Sequence, residues 1–473
     1  MILDSLKQAL PILILLVVVW FVLSRLPKVD LGHSEAFKRR RLWNWLPLGL
    51  TYAFLYMGRY NLTVSKSHFG DLMTNADFGT IFGIGTIVYA IGGIVNGPLT
   101  DKISGRRAIL IAAFGAAIAN FAMGLVTYFG WTSNLVVTFS ILYSLNMYFQ
   151  SFGAVAIVKV NAGWFHVRER GVFGGIFGIL ISLGLYFAYD WGGIIANTFT
   201  LPWVFFVPTL LLILFFMISY ATVRDLPSQA GFVDFDAGDA HFAEGEKLNP
   251  LQIAWKMLRN HVILTIILIE FCSGFLRNAI MHWYLIFSKQ TGTINAFVPS
   301  NWGLLLCCAG ILGGVFAGTL SDKLFDSRRG PVTVVLYVIM LGGSIASTFL
   351  LDSPYLGWVM VFMSMAIIGV HGMLSGTASM DFSGKNNVGT AVGLIDGVVY
   401  AGTSLEAFIY GSILPTGEAQ KNPNNWGHWP LAMIPLAVIG FCLTLRLWNA
   451  RPAKGAHERH ESKIPVTLAT EEA

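Results

Sequence analysis

Long apolar stretches separated by short polar segments dominate the chain from residue 44 onward. Each stretch is close to the roughly 20 residues that a helix needs to cross a bilayer. A shorter apolar run, Leu10 to Leu23, precedes them and lacks the small-residue cleavage site of a signal peptide. The pattern predicts one extra N-terminal helix and twelve membrane-spanning helices at 44–65, 78–100, 107–129, 134–160, 171–190, 201–222, 262–287, 302–321, 331–351, 356–380, 388–413 and 428–448.

One long polar stretch, Arg224 to Arg259, lies at the midpoint and divides these runs into two sets of six. A charged, glycine-containing segment at that place is typical of a linker between two domains. We therefore expect five parts: the extra helix with its connection (1–37), a first six-helix bundle (38–223), a linker (224–260), a second six-helix bundle (261–450) and a polar tail (451–473).

Composition and charge support a membrane protein. Hydrophobic residues make up 55% of the 473 residues and charged residues only 12%, about half the share in a soluble protein. The net charge is +5, but the cations lie in short loops that alternate in charge along the chain, which points to membrane orientation and away from nucleic-acid binding. We expect a multi-pass protein of the inner or plasma membrane, with the linker and C-terminus cytoplasmic.

Two features recur with one period. The loop Gly97-Pro-Leu-Thr-Asp101 continues to Arg106, and Gly318-Thr-Leu-Ser-Asp322 continues to Arg328, with the two aspartates 221 positions apart. Arg59 and Arg277 lie 218 positions apart. Two features that share a period near 220 indicate an internal duplication. Each aspartate can pair with loop cations or cap a helix, so we expect cytoplasmic contacts that hold one conformation at Asp101, Arg106, Asp322 and Arg328.

Two six-helix halves in parallel repeat are the plan of the major facilitator superfamily, and the repeated loop resembles that superfamily's hallmark cytoplasmic loop. The resemblance implies an all-α polytopic membrane protein with the major facilitator fold and an added N-terminal helix.

Ionisable residues inside membrane spans are costly, so each is a functional candidate. Arg59 follows Tyr52 and Tyr56 at helical spacing, and Arg277 lies in the seventh run with Asn278 after it. By the repeat, the two arginines face each other, and a pair of guanidinium groups can fork onto a tetrahedral oxyanion such as phosphate. The alternative is that each arginine pairs internally.

Other ionisable residues in the spans have less defined roles. Lys159 is a candidate third cation, and Asp396 and Glu406 are candidate charge partners of Arg277 or sites that titrate during transport. Glu270 is a further acid in a span, and His282 and His371 stand alone and are expected to be structural. No cofactor motif and no metal-spaced cluster is present, so the sequence does not indicate an enzyme.

At a finer level the sequence resembles the organophosphate:phosphate antiporter family, the transporters of glycerol 3-phosphate and hexose phosphates. The likeness covers about residues 40–450, and it implies that Arg59 and Arg277 are the phosphate-binding pair. It rests on the tyrosine-rich segment around Arg59, Asp77-Phe-Gly79, Glu169-Arg-Gly171, Arg224-Asp-Leu-Pro-Ser-Gln-Ala-Gly231, Gly274-Phe-Leu-Arg277 and Gly389-Thr-Ala-Val-Gly393.

The sequence also departs from that family's pattern. Gly93 stands where a lysine is usual, Ile181 where a histidine is usual and Cys307 where an acid is usual. The side chains around the arginines are thus smaller and less polar than in that family. This favours an organic group that is larger or more apolar than a triose or hexose.

These observations predict a secondary transporter that exchanges an organophosphate for inorganic phosphate by alternating access, with the bilayer as its surroundings. We expect a monomer without a cofactor or bound metal. Two alternatives stay open: a proton-coupled symporter of another organic anion that uses Asp396 or Glu406, and a sugar-phosphate receptor that does not transport.

Overall fold

A computed structural model describes residues 13, 15–21, 24, 31–166, 170–235, 249–325 and 328–449, without the side chains of 170–177, 250, 319, 322, 323 and 375–388. We call residues 35–235 the first half and residues 249–449 the second half. The long helices are α1 (Glu35–Phe69), α2 (Asn75–Ile103), α3 (Gly105–Tyr128), α4 (Leu135–Ala162), α5 (Arg170–Tyr186), α6 (Trp203–Thr222), α7 (His261–Met281), α8 (Trp302–Leu324), α9 (Arg329–Phe349), α10 (Leu356–Ile413) and α11 (His428–Arg446).

Each of the twelve predicted apolar runs lies on one of these helices or on its short continuation. Within the described ranges, ten helical segments are long and apolar enough to cross a membrane. α1, which carries many polar side chains, is not among them, and α8 is represented by its described apolar stretch Trp302–Gly318. The two-bundle division and its boundaries stay a prediction, and the tail at 451–473 lies outside the described residues.

The helix α10 contains two of the predicted runs. All residues from Leu356 to Ile413 are helical. Nevertheless the two ends of this element, which we call its first arm (Leu356–Leu374) and its second arm (Gly389–Ile413), contact the same turn of α7. His371 of the first arm lies 2.9 Å from Glu270, and the backbone of Gly402 on the second arm packs against that of Phe271. The chain therefore reverses direction between the arms, as two adjacent membrane helices require.

Local sequence explains how the first helices begin and end. A capping box starts α2, because the Thr74 side chain accepts a hydrogen bond from the backbone of Asp77 and the Asp77 carboxylate accepts one from the backbone of Thr74. Ser104, with φ of 93°, ends α2 and begins α3 within one residue. The hallmark loop is therefore a tight corner between two helices.

The helix α2 packs along the second arm of α10 and joins the two halves. A Cβ atom added to Gly97 would lie 2.5 Å from the carbonyl oxygen of Gly389, and one added to Gly389 would lie 2.6 Å from that of Gly97. Only glycine allows two helix backbones to approach this closely. The interface continues to the other end of α2, where Gly79 packs against Gly411.

Further hydrogen bonds join the halves on the side of the molecule opposite the linker. Asn75 at the start of α2 exchanges hydrogen bonds with Gln290, at 3.2 and 2.9 Å, and donates to the carbonyl oxygen of Pro415 at 2.8 Å. Asp190, just after α5, accepts from the backbone nitrogens of Gly303 and Leu304 at 2.7 and 2.9 Å and so caps α8. This side is closed by contacts between the halves.

The extra N-terminal helix is described in part. Residues 15–21 are helical, and the buried Leu15 packs with Ile179 of α5 and with Leu304 and Ile311 of α8. The described part of this helix therefore packs against both halves, at the interface between α5 and α8.

Candidate functional site

Arg59 is fully buried on α1 and is held by three other helices. Its Nε donates a hydrogen bond to Oε1 of Gln150 on α4 at 2.8 Å, and its Nη1 donates to the hydroxyl of Tyr400 on α10. The guanidinium carbon lies 4.6 Å from the ring centre of Tyr56 and 4.9 Å from that of Tyr89. Hydrogen bonds and cation–π contacts fix this side chain in position.

Arg277 on α7 has far fewer contacts. It is 6% exposed, and its guanidinium carbon lies 6.0 Å from the ring of Tyr400, the same tyrosine that binds Arg59. The Nε of Arg277 is buried without a hydrogen-bond partner, and so is Nη2 of Arg59. Two buried cations from different halves thus contact one phenol, and each retains an unsatisfied donor.

In the described part of the chain, no carboxylate lies within ion-pair distance of either arginine. The nearby acids have other partners. Asp396 accepts a hydrogen bond from the Tyr89 hydroxyl at 2.9 Å, and Glu406 accepts one from Nε1 of Trp283 at 2.5 Å. The internal pairs of Arg277 with Asp396 or Glu406 that the sequence left open are not formed here.

The predicted supporting residues take different places. The rings of Tyr52 and Tyr56 are 5.2 Å apart, and Tyr56 lies directly under the guanidinium group of Arg59. Asn278 instead donates to Oγ1 of Thr403 at 2.8 Å, and its Oδ1 lies 2.9 Å from Nε2 of His282. The tyrosines are therefore beside the arginine pair, whereas the Asn278 side chain is engaged elsewhere.

Lys159 lies at the linker side of α4. Its Nζ forms a 2.8 Å ion pair with Asp101 at the end of α2. The other contacts of Asp101 cross to the second half: its carboxylate accepts from the backbone nitrogens of Gly389 and Thr390 at 3.1 and 2.9 Å and from Oγ1 of Thr390 at 3.0 Å. The structure brings Lys159 to this contact between halves and not to the arginine pair.

The other residues of the hallmark loops contact their own half. The backbone nitrogen of Arg106 donates to Oδ1 of Asp225 at 2.8 Å, and Nε of Arg328 donates to the carbonyl oxygen of Phe325 at 3.1 Å. The side chain of Asp322 lies outside the described residues. Of the three predicted positions whose side chains are described, Asp101 is thus the one seen to join the halves.

Sequence reasoning missed three residues that hold the arginines: Gln150, Tyr89 and Tyr400. The two tyrosines could have been found, because buried tyrosine hydroxyls usually have a hydrogen-bond partner. Tyr400 also lies one helical turn after Asp396. Gln150 gave no such signal, since a single amide in an apolar run is common.

The departures from the resembled family have a structural counterpart. A Cβ atom on Gly93 would lie 3.1 Å from the carbonyl oxygen of Gly393, so this conformation has no space for a long side chain there. Cys307 is fully buried in an apolar cluster, and Ile181 packs against the main core. The polar surroundings of the arginines are supplied by phenols and by the amide of Gln150 instead.

Comparison with known proteins gives the family. The model of the Major Facilitator Superfamily matches residues 48–405. Relatives include the glycerol-3-phosphate transporter of Bacillus subtilis, 26% identical over 89% of this chain and 95% of that protein. The membrane sensor protein UhpC of Salmonella typhimurium is 25% identical over 90% and 96%, and the phosphoglycerate transporter protein of the same organism is 26% identical over 80% and 84%.

Among solved structures, the fold is similar to a bacterial homologue of the human lysosomal transporter Spinster in an inward-facing, unoccupied conformation. The TM-score is 0.65 at 14% sequence identity, over 88% of this chain and 98% of that one. The family match and the fold agree, and the chain belongs to the Major Facilitator Superfamily.

Proposed function

We propose that this protein exchanges an organophosphate for inorganic phosphate across a membrane, with Arg59 and Arg277 binding the phosphoryl group. The observation that carries the proposal is the pair of buried guanidinium groups beside Tyr400, each with an unsatisfied donor. Two cations from different halves, without a nearby carboxylate in the described residues, suit an anion that carries up to two negative charges.

Physical chemistry explains why such a pair favours exchange. A buried, unpaired charge is costly, and two of the same sign are more so. A phosphoryl group bound between the arginines neutralises both and satisfies their free donors with charge-assisted hydrogen bonds. The halves then close most readily around a bound anion, and a carrier without an anion changes sides poorly, so that each anion leaves in return for another.

The relatives support the substrate class, since their names include transporters of glycerol 3-phosphate, hexose phosphate and phosphoglycerate. The aromatic surroundings of the arginine pair favour an organic group that is larger or more apolar than a sugar. We propose an inner or plasma membrane location with two six-helix bundles and a cytoplasmic linker.

The test is uptake of labelled inorganic phosphate into proteoliposomes that are preloaded with phosphate or left empty. The proposal expects uptake that needs preloading and is lost in Arg59→Lys, because an ammonium group cannot form the same fork. Arg107→Lys, at an exposed position in the first turn of α3, is the matched control and should transport normally. Full uptake by Arg59→Lys contradicts the arginine pair. If uptake needs preloading and is lost in Arg59→Lys, unlabelled organophosphates can be ranked by competition with wild-type uptake.

A receptor is the second candidate, and the likeness to the sensor UhpC favours it. Phosphate binding to the purified protein without any uptake, in preloaded or empty vesicles, would support the receptor. Uptake into empty vesicles driven by a pH gradient, and lost in Asp396→Asn or Glu406→Gln, would instead support the proton-coupled symporter.

A further inference from the structure

A buried acid and a histidine lie two helical turns from Arg277 and do not contact the arginine pair. Glu270 on α7 is fully buried, and its Oε2 lies 2.9 Å from Nδ1 of His371 on the first arm of α10. The His371 side chain is 24% exposed. His371, expected to stand alone, therefore has an acidic partner inside the membrane region of the protein.

Glu270 lies on the same face of α7 as Arg277. The two are seven residues apart, which is two helical turns or about 10 Å along the axis. Ser273 lies between them on this face. Three polar atoms on this face of α7 are buried without a hydrogen-bond partner: Oε1 of Glu270, Oγ of Ser273 and Nε of Arg277. Such a row of unsatisfied atoms is suited to bind water or to pass a proton.

The internal repeat shows what distinguishes this pair. An offset of 218 relates Glu270 to Tyr52, as it relates Arg277 to Arg59, and an offset of 221 relates His371 to Gln150. In the first half the neutral Gln150 binds Arg59. In the second half the corresponding residue contacts an acid instead, so Arg277 lacks that partner. The positions that hold Tyr52 and the neutral amide of Gln150 in the first half thus hold an acid and an imidazole in the second.

The groups around the pair supply little compensating charge. From α9, Tyr337 donates its hydroxyl to the carbonyl oxygen of Ile269 at 3.0 Å, and Cys272 and Glu270 of α7 both lie near Tyr337. On the second arm of α10, Asp396 and Glu406 have their own donors, and the cysteines of α8 pack with Leu15. The cations on the neighbouring elements are Arg277 on α7 itself and Lys256 and Arg259 on the short helix Pro250–Arg259, which packs against α7 and α10.

We propose that Glu270 and His371 form a proton-binding site, and that the loaded carrier changes sides only when this pair holds one proton. The inference rests on the proposed exchange of phosphorylated anions. With one proton the pair is a hydrogen-bonded acid and imidazole or an ion pair, and both are tolerated in a buried position. Without it a bare carboxylate is left in a closed, buried place.

This arrangement gives the proton a path. Glu270 lies between Arg277 and the linker-side end of α7, and His371 is the partly exposed member of the pair. Opening on the linker side admits water to the pair, which then gains or loses its proton. Closing the halves around an anion requires the protonated form. No bond other than that to the proton is made or broken.

The first experiment measures phosphate exchange at equal pH on both sides, over a range of pH values. The wild type should slow at alkaline pH, by about tenfold per pH unit once the pair has lost its proton. Glu270→Gln carries a neutral amide in place of the protonated acid, so its exchange should lose this alkaline decline. Glu406→Gln, the same change at another fully buried acid, should keep it.

The titration of phosphate itself affects all variants equally. The difference between the pH profiles of wild type and Glu270→Gln therefore reports the contribution of the Glu270–His371 pair. An unchanged alkaline decline in Glu270→Gln overturns the proposal. Glu270→Asp, which keeps the carboxyl group, serves if the amide variant does not fold, and it should shift the decline without removing it.

A second measurement does not depend on transport. Infrared difference spectra of the purified protein between acid and alkaline pH should contain carboxyl or imidazole bands that disappear in Glu270→Gln. Their absence from the wild type overturns the proton site even if exchange occurs. If the wild type shows these bands but exchanges no phosphate at any pH, the proposed exchange fails while the proton site stands.

Discussion

Arg59 and Arg277 are related by the repeat, yet the two halves hold them differently. Arg59 has hydrogen bonds to Gln150 and Tyr400 and lies against several aromatic rings, whereas Arg277 lies among tyrosines, 6.0 Å from the ring of Tyr400, and its Nε has no hydrogen-bond partner among the described residues. The first half therefore presents a fixed cation. The second half presents one that is buried and that keeps an unsatisfied donor for a ligand.

This difference assigns distinct tasks to the two arginines. A fixed donor reduces the ordering cost of binding, as preorganised groups do. A less constrained donor on the other half gains its partners only when the anion is present, so its binding energy is available to draw the halves together. Tyr400 contacts both and makes their positions interdependent.

The largest effect is expected from replacing either arginine with lysine. Each change removes a forked pair of charge-assisted hydrogen bonds at about 1.5–3 kcal/mol each, so phosphate affinity should fall at least about a hundredfold. The melting temperature of the purified protein distinguishes the two. Arg59→Lys should lower it because its contacts exist without ligand, and Arg277→Lys should leave it nearly unchanged. Equal losses of melting temperature contradict the comparison.

The next effect concerns the tyrosine that both arginines contact. Tyr400→Phe removes the hydroxyl that accepts from Arg59 and keeps the ring beside Arg277. A hydrogen bond to a charged group contributes about 2 kcal/mol, so phosphate affinity measured by calorimetry should fall roughly 30-fold. Tyr410→Phe on the same arm is the control, because its hydroxyl donates to the carbonyl oxygen of Trp429. An equal loss in both variants points to general destabilisation of the arm.

A smaller effect is expected at Gln150, which acts on Arg59 alone. Gln150→Leu leaves Nε of Arg59 without a partner, but Tyr400 and the aromatic rings still hold the side chain. We expect a loss of phosphate affinity of about threefold to tenfold, roughly 1 kcal/mol. Gln150→Glu tests the same contact in the opposite way, since an acid at 2.8 Å pairs with Arg59 and competes with the anion. It should bind phosphate more weakly than Gln150→Leu, and stronger binding contradicts the role of Arg59.

Much of the architecture was predictable from the sequence, for a physical reason. Membrane spans must satisfy their backbone hydrogen bonds internally, so apolar length alone locates helices. The duplication of Asp101 and Arg59 then indicated the superfamily. The arginine pair was likewise accessible, since a charge inside a span has few roles.

The partners of those charges were not predictable. Asp396 and Glu406 look like counterions in the sequence, but which carboxylate meets which cation depends on helix rotation and on crossing angles that no single segment encodes. The same holds for Lys159, which points to Asp101 rather than to the arginines. His371 acquires its acid only because the first arm of α10 packs on α7.

The smallest effect is expected at Asp396, which the sequence singled out as a coupling or charge-partner residue. It makes one hydrogen bond, from Tyr89 at 2.9 Å, and an amide oxygen accepts the same bond. Asp396→Asn should therefore change phosphate affinity less than threefold in the same calorimetric assay. Its exchange should keep the alkaline decline that Glu270→Gln loses. If Asp396→Asn instead abolishes that decline, the proton site belongs to the second arm of α10, and the difference between the halves lies in α10 rather than in α7.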